Sequence, residues 1–60
     1  MKLTPLYRVT YKNHKPQYFF SREMAEDFRK AKLGDFGKVD ITYWYDHAKA
    51  TAKVEQNGGW

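Results

Sequence analysis

Ala48-Lys49-Ala50-Thr51-Ala52-Lys53-Val54-Glu55 is the stretch whose reading decides the fold of this 60-residue chain. Taken with period two, Ala50, Ala52 and Val54 share one face, while Lys49, Thr51, Lys53 and Glu55 share the other, as in a half-buried strand. Alanine and lysine also favour a helix, which competes for the same residues. The alternation gives the strand the lead, with Asp46-His47 as the turn into it.

Working back from that segment, Val39, Ile41, Tyr43 and Tyr45 alternate with Asp40, Thr42 and Trp44, which predicts a third strand from Lys38. Asp35-Phe36-Gly37 is the loop before it. Met24, Ala25, Phe28 and Ala31 recur at helical spacing, so a helix is expected from Arg22 to Leu33. Ser21 is its N-cap, Glu23 suits the positive end, and Gly34 can take the left-handed conformation that stops it. Residues 6–12 alternate Tyr7, Val9 and Tyr11 against Arg8, Thr10 and Lys12. Asn13-His14-Lys15-Pro16 turns the chain, and Gln17 to Phe20 returns as strand two. The expected order is β-β-α-β-β, an α+β fold with one helix packed across a small, mostly antiparallel sheet. Residues 1–55 form the single domain, and 56–60 a flexible tail ending in Trp60.

A chain this short buries only about 60% of the surface its unfolded form exposes. It has no cysteine, so no disulfide or cysteine–zinc staple can help. Aromatic residues must supply the core, and help from a second subunit is expected. The net charge is +4 and unevenly placed. Lys2, Arg8, Lys12 and Lys15 lie in residues 1–20 without an acid, whereas basic and acidic residues balance from Ser21 onward. Such a patch attracts phosphate or an acidic protein surface. No secretory signal or membrane-length apolar run is visible, so a cytoplasmic protein is expected, without membrane contact.

Two runs of aromatics, Tyr18-Phe19-Phe20 and Tyr43-Trp44-Tyr45, cannot point all their rings to one side of a sheet. With Tyr18, Phe20, Tyr43 and Tyr45 inward, Phe19 and Trp44 stand on the outer face beside Arg8, Thr10, Lys12, Thr42, Lys49 and Lys53. Exposed rings ringed by cations mark a binding surface. The partner-binding candidates are Arg8, Lys12, Phe19, Trp44 and Lys53, with Trp60 as an exposed anchor or a ring folded back on the domain.

Signs of chemistry are weak by comparison. His14 and His47 fall in predicted turns with no further His or Cys to complete a metal site. Ser21 is explained by capping, and Asp40 and Asp46 would need a pocket that so small a chain barely provides. Asp35-Phe36-Gly37 matches a kinase tripeptide in letters alone. No catalytic residue, metal or cofactor is expected.

The stretch Leu6 to Phe20, then Ser21-Arg22-Glu23-Met24-Ala25-Glu26-Asp27-Phe28, then Val39 to Tyr43, resembles the β-β-α-β plan of small bacteriophage early proteins. Several of these inhibit a host machine, such as RNA polymerase or a defence nuclease; the acidic DNA mimics among them differ from this basic chain. The resemblance implies a modulator or inhibitor working in the host cytoplasm. The leading expectation is therefore a non-enzymatic protein that docks a host protein through its aromatic, basic sheet face or a strand edge. A nucleic-acid-binding module using the same residues is the alternative, and a structural homo-oligomer is a third.

Overall fold

In a computed structural model the chain is described from residue 2 to residue 57. Its elements are β1 (Thr4–Thr10), β2 (Gln17–Phe19), α1 (Arg22–Lys32), β3 (Lys38–Trp44) and α2 (His47–Glu55). The α+β class holds, but the fourth strand does not form: residues 47–55 are a helix. Ala50 and Val54 are four residues apart, a spacing that shares one face in a strand and in a helix alike. Ala52 separates the two, and it is exposed while Ala50 is buried. Asp46 starts α2 by accepting from the Ala48 and Lys49 amides at 2.9 and 3.2 Å, so His47 is the first helical residue and not a turn.

The sheet order is β2-β1-β3, with β1 antiparallel to both neighbours. β2 and β3 therefore run parallel, joined by α1 with β1 inserted between them, a split β-α-β arrangement. β1 begins at Thr4, opposite Trp44, two residues before the expected start. It ends at Thr10, because the Tyr11 carbonyl closes the turn by accepting from the His14 amide at 3.1 Å. Asn13 occupies that turn at φ 66°, a conformation asparagine tolerates.

Each face of the sheet carries its own helix. The register puts Tyr7, Val9, Phe19, Val39, Ile41 and Tyr43 on one face, and Leu6, Arg8, Tyr18, Asp40, Thr42 and Trp44 on the other. Phe19 meets Phe28 of α1 with ring centroids 5.3 Å apart. Its neighbour Tyr18, pointing the opposite way, meets Trp44 edge-on at 5.8 Å and lies under Lys53 of α2. A single helix on a single face is thus corrected to a helix on both. Leu6 and Val9 are fully buried on opposite sides of β1, with Ala50 and Ala25 as the buried residues of the two helices.

Of the expected tail, Gln56 caps α2, and the Asn57 side chain exchanges hydrogen bonds with the Tyr18 backbone, accepting from its amide at 2.9 Å and donating to its carbonyl. Residues 58–60 lie outside the described residues. Among the described residues, no helix is long and apolar enough to cross a membrane.

Candidate functional site

Three segments converge at one end of the molecule: the end of β1, the β1–β2 turn and the loop from α1 into β3. The loop's course is set by two glycines. Gly34 sits at φ 60°, where a side chain would be strained, and its amide is bonded to the Arg29 carbonyl. The Arg29 guanidinium donates back to the Gly34 carbonyl and reaches Glu26 at 3.3 Å. At Gly37 a Cβ would lie 2.5 Å from Leu33 Cδ1, so only glycine lets the backbone pass this close to the last turn of α1. Held between these points, Phe36 is turned outward and is 77% exposed.

Phe36 and Tyr11 line two open clefts. Thr10, Lys12 and Lys38 complete a cleft of about 630 Å³, and His14, Lys32 and Leu33 complete one of about 300 Å³. The Tyr11 ring is tilted against His14 at 5.5 Å between centroids. Segments 10–15 and 32–38 carry four lysines, Lys12, Lys15, Lys32 and Lys38, against one acid, Asp35. Most of the chain's excess charge therefore lies at this end, interleaved with rings. Lys12, Lys32 and Lys38 are exposed.

The six residues singled out from sequence are scattered. Lys12 alone lines the clefts. Phe19 and Trp44 do not share a face, since one lies under α1 and the other under α2. Trp44 Nε1 donates to the Thr42 hydroxyl at 3.0 Å, and that hydroxyl donates to the Leu6 carbonyl at 3.1 Å. Arg8 is paired with Asp40 at 3.5 Å, and its Nε is enclosed without a hydrogen-bond partner. Lys53 Nζ stands 5.8 Å from the Tyr18 ring centroid. Trp60 lies outside the described residues. α2 packs over the Trp44 side of the sheet, and Phe19 lies on the opposite side against α1, so the expected outer face does not exist as one open surface.

Sequence reasoning passed over Tyr11, Lys32, Phe36 and Lys38 at the clefts. Phe36 did carry a signal, being a large apolar residue placed between Gly34-Asp35 and Gly37, where no periodic pattern calls for burial. His47 accepts or donates a contact with the Thr4 hydroxyl at 3.2 Å and lies against Phe20, while His14 belongs to the other end. Among the described residues no group of three His, Cys, Asp or Glu is placed to hold a metal ion.

Compared with protein-family models, curated proteins and solved structures, the chain matches none.

Proposed function

We propose that the protein is a non-enzymatic binding module that takes single-stranded nucleic acid at its Tyr11–Phe36 end. The observation that carries this reading is the exposed Phe36 ring, paired with Tyr11 across two clefts lined by Lys12, Lys32 and Lys38. A base stacked on such a ring contributes roughly 1–3 kcal/mol, and lysines beside it neutralise the phosphates on either side. Open clefts suit an extended strand better than a small molecule, which needs enclosure on most of its surface. Docking of a host protein through Phe19 and Trp44 has less support, because those rings are divided between the two faces of the sheet.

The test is fluorescence anisotropy with labelled oligothymidine and oligouridine over a salt series. Three lysines engaged with phosphates give a log-affinity against log-salt slope of about −2, at ~0.7 per phosphate on a single strand. Phe36→Ala weakens binding roughly 5- to 150-fold through lost stacking and leaves that slope unchanged. Lys12→Ser with Lys38→Ser makes the slope shallower by about 1.4. Absence of binding at low salt, or indifference to Phe36→Ala, ends the reading. Inorganic polyphosphate competing as well as oligothymidine would reduce it to a charge effect.

A further inference from the structure

The two edges of the sheet are finished differently. β2 is three residues long, and the side-chain amide of Asn57 satisfies the Tyr18 backbone on its outer side as a neighbouring strand would. β3 is seven residues long, and among the described residues no strand pairs with its outer edge. Proteins usually blunt such an edge with charged side chains, a proline, a bulge or a cover. β3 carries charge only in its first half, at Lys38 and at Asp40, which is paired with Arg8. β3 has no proline, and its apolar face is poorly covered. Exposure rises along the strand, from half-buried Val39 to Ile41 at 45% and Tyr43 at 60%. This follows from the topology: α1 starts beside the end of β2 and descends toward the start of β3, leaving the far half of β3 bare.

We propose that β3 pairs with β3 of a second copy of this chain, antiparallel about Ile41, to give a continuous six-stranded sheet. The inference does not depend on the nucleic-acid reading. A two-fold axis normal to the sheet keeps each residue on its own face, so only registers of matching parity are allowed. Centred on Ile41, all seven residues of β3 find a partner. Val39 faces Tyr43 and Ile41 faces its counterpart on the apolar side; Asp40 faces Thr42 and Lys38 faces Trp44 on the other. No like charges meet. Centring on Asp40 would set two carboxylates directly opposite each other, which is unfavourable. Centring on Thr42 leaves Lys38 and Val39 beyond the ladder. The strand is thus complementary to itself in the one register that uses its whole length. A second copy also fits the small core, where Leu6 and Val9 are the only large side chains fully buried among the described residues. Fusing two edges sets Ile41 beside its counterpart and Tyr43 beside Val39, so each gains a lateral apolar neighbour without any new element.

Sedimentation equilibrium on the full chain at micromolar concentration tests this, with circular dichroism to confirm folding. The wild type is expected to dimerise, and Ile41→Lys to weaken the dimer by more than about tenfold, since one substitution strikes the centre of a symmetric interface twice. Because the chain has no cysteine, Ile41→Cys provides a second readout that does not rely on a disruptive change. The paired Cα atoms would lie ~4.5–5.5 Å apart, within disulfide reach, so oxidation should yield a covalent dimer. Tyr45→Cys should not, as its counterpart would lie about 27 Å away at ~3.4 Å per residue. A wild type that stays monomeric overturns the proposal. So does a dimer indifferent to Ile41→Lys, or equal cross-linking at both cysteine positions.

Discussion

On the α1 side of the sheet the helix brings a ring down to the strands, whereas on the α2 side the strands raise rings toward the helix. Phe28 of α1 meets Phe19, and α1 covers its face through a narrow apolar stripe in which Ala25 is buried and Phe28 half-buried while Met24 and Ala31 are exposed. α2 offers little more than Ala50 and half-buried Val54, and the bulk comes from Leu6, Tyr18 and Trp44 beneath it. A helix made of alanines can approach a sheet closely because it brings no volume of its own. The lesson is that weak amphipathicity in a segment does not mean weak burial of what lies under it.

The largest expected effect breaks the α2 side. Leu6→Ala should cost about 2–5 kcal/mol, the range for fully buried leucines, whereas Ile41→Ala on the open half of the other face should cost less than ~1. Urea unfolding of both variants below the dimerising concentration measures the contrast; equal losses would mean that α2 does not seal its face.

Next in size comes a comparison within one strand. Trp44→Ala should cost about 2–3 kcal/mol, somewhat below the range for a fully buried ring, and Tyr43→Ala less than ~1 in the monomer. The ordering reverses what alternation alone suggests, and thermal melts can decide it. A more damaging Tyr43→Ala would put the α2 face outward.

The two N-caps give the smallest and sharpest contrast. Asp46 accepts from two backbone amides, so Asp46→Ala should lose about 1 kcal/mol, while Ser21 makes no side-chain capping bond and Ser21→Ala should lose only a few tenths. Similar losses at the two positions would remove the distinction between a helix anchored by its cap and one anchored by packing.

Local alternation found β3 from Lys38 and found β1 two residues late, and helical spacing with a stop at Gly34 was enough to place α1. In those segments the hydrophobic period and the turn residues agree with one another, although Ser21 makes no side-chain capping bond. Leu6 already hinted at the second covered face, since it shares a side with Arg8 and Thr10 and yet is apolar. The clefts were less legible. Tyr11 and Lys12 are separated by more than twenty residues from Phe36 and Lys38, and no local rule brings a turn and a loop to the same end.

By itself, then, the sequence determined an antiparallel core strand, one amphipathic helix and a basic, aromatic-rich chain, because these follow from spacing and composition over a few residues. The tertiary structure decided that residues 47–55 are a helix, that Phe19 and Trp44 part company, and that β3 keeps a bare edge. The reasons differ: the β1–β2 register, which pairs Tyr7 with Phe19, sends Phe19 to the α1 face, and with residues 47–55 helical no described strand is left to pair with the outer edge of β3. For residues 47–55 the reason is a tie in local spacing. An interval of four residues is inward-facing in both a strand and a helix, so the tie at Ala50 and Val54 is broken only by the Asp46 cap and by the rings of Tyr18 and Trp44 that need a cover.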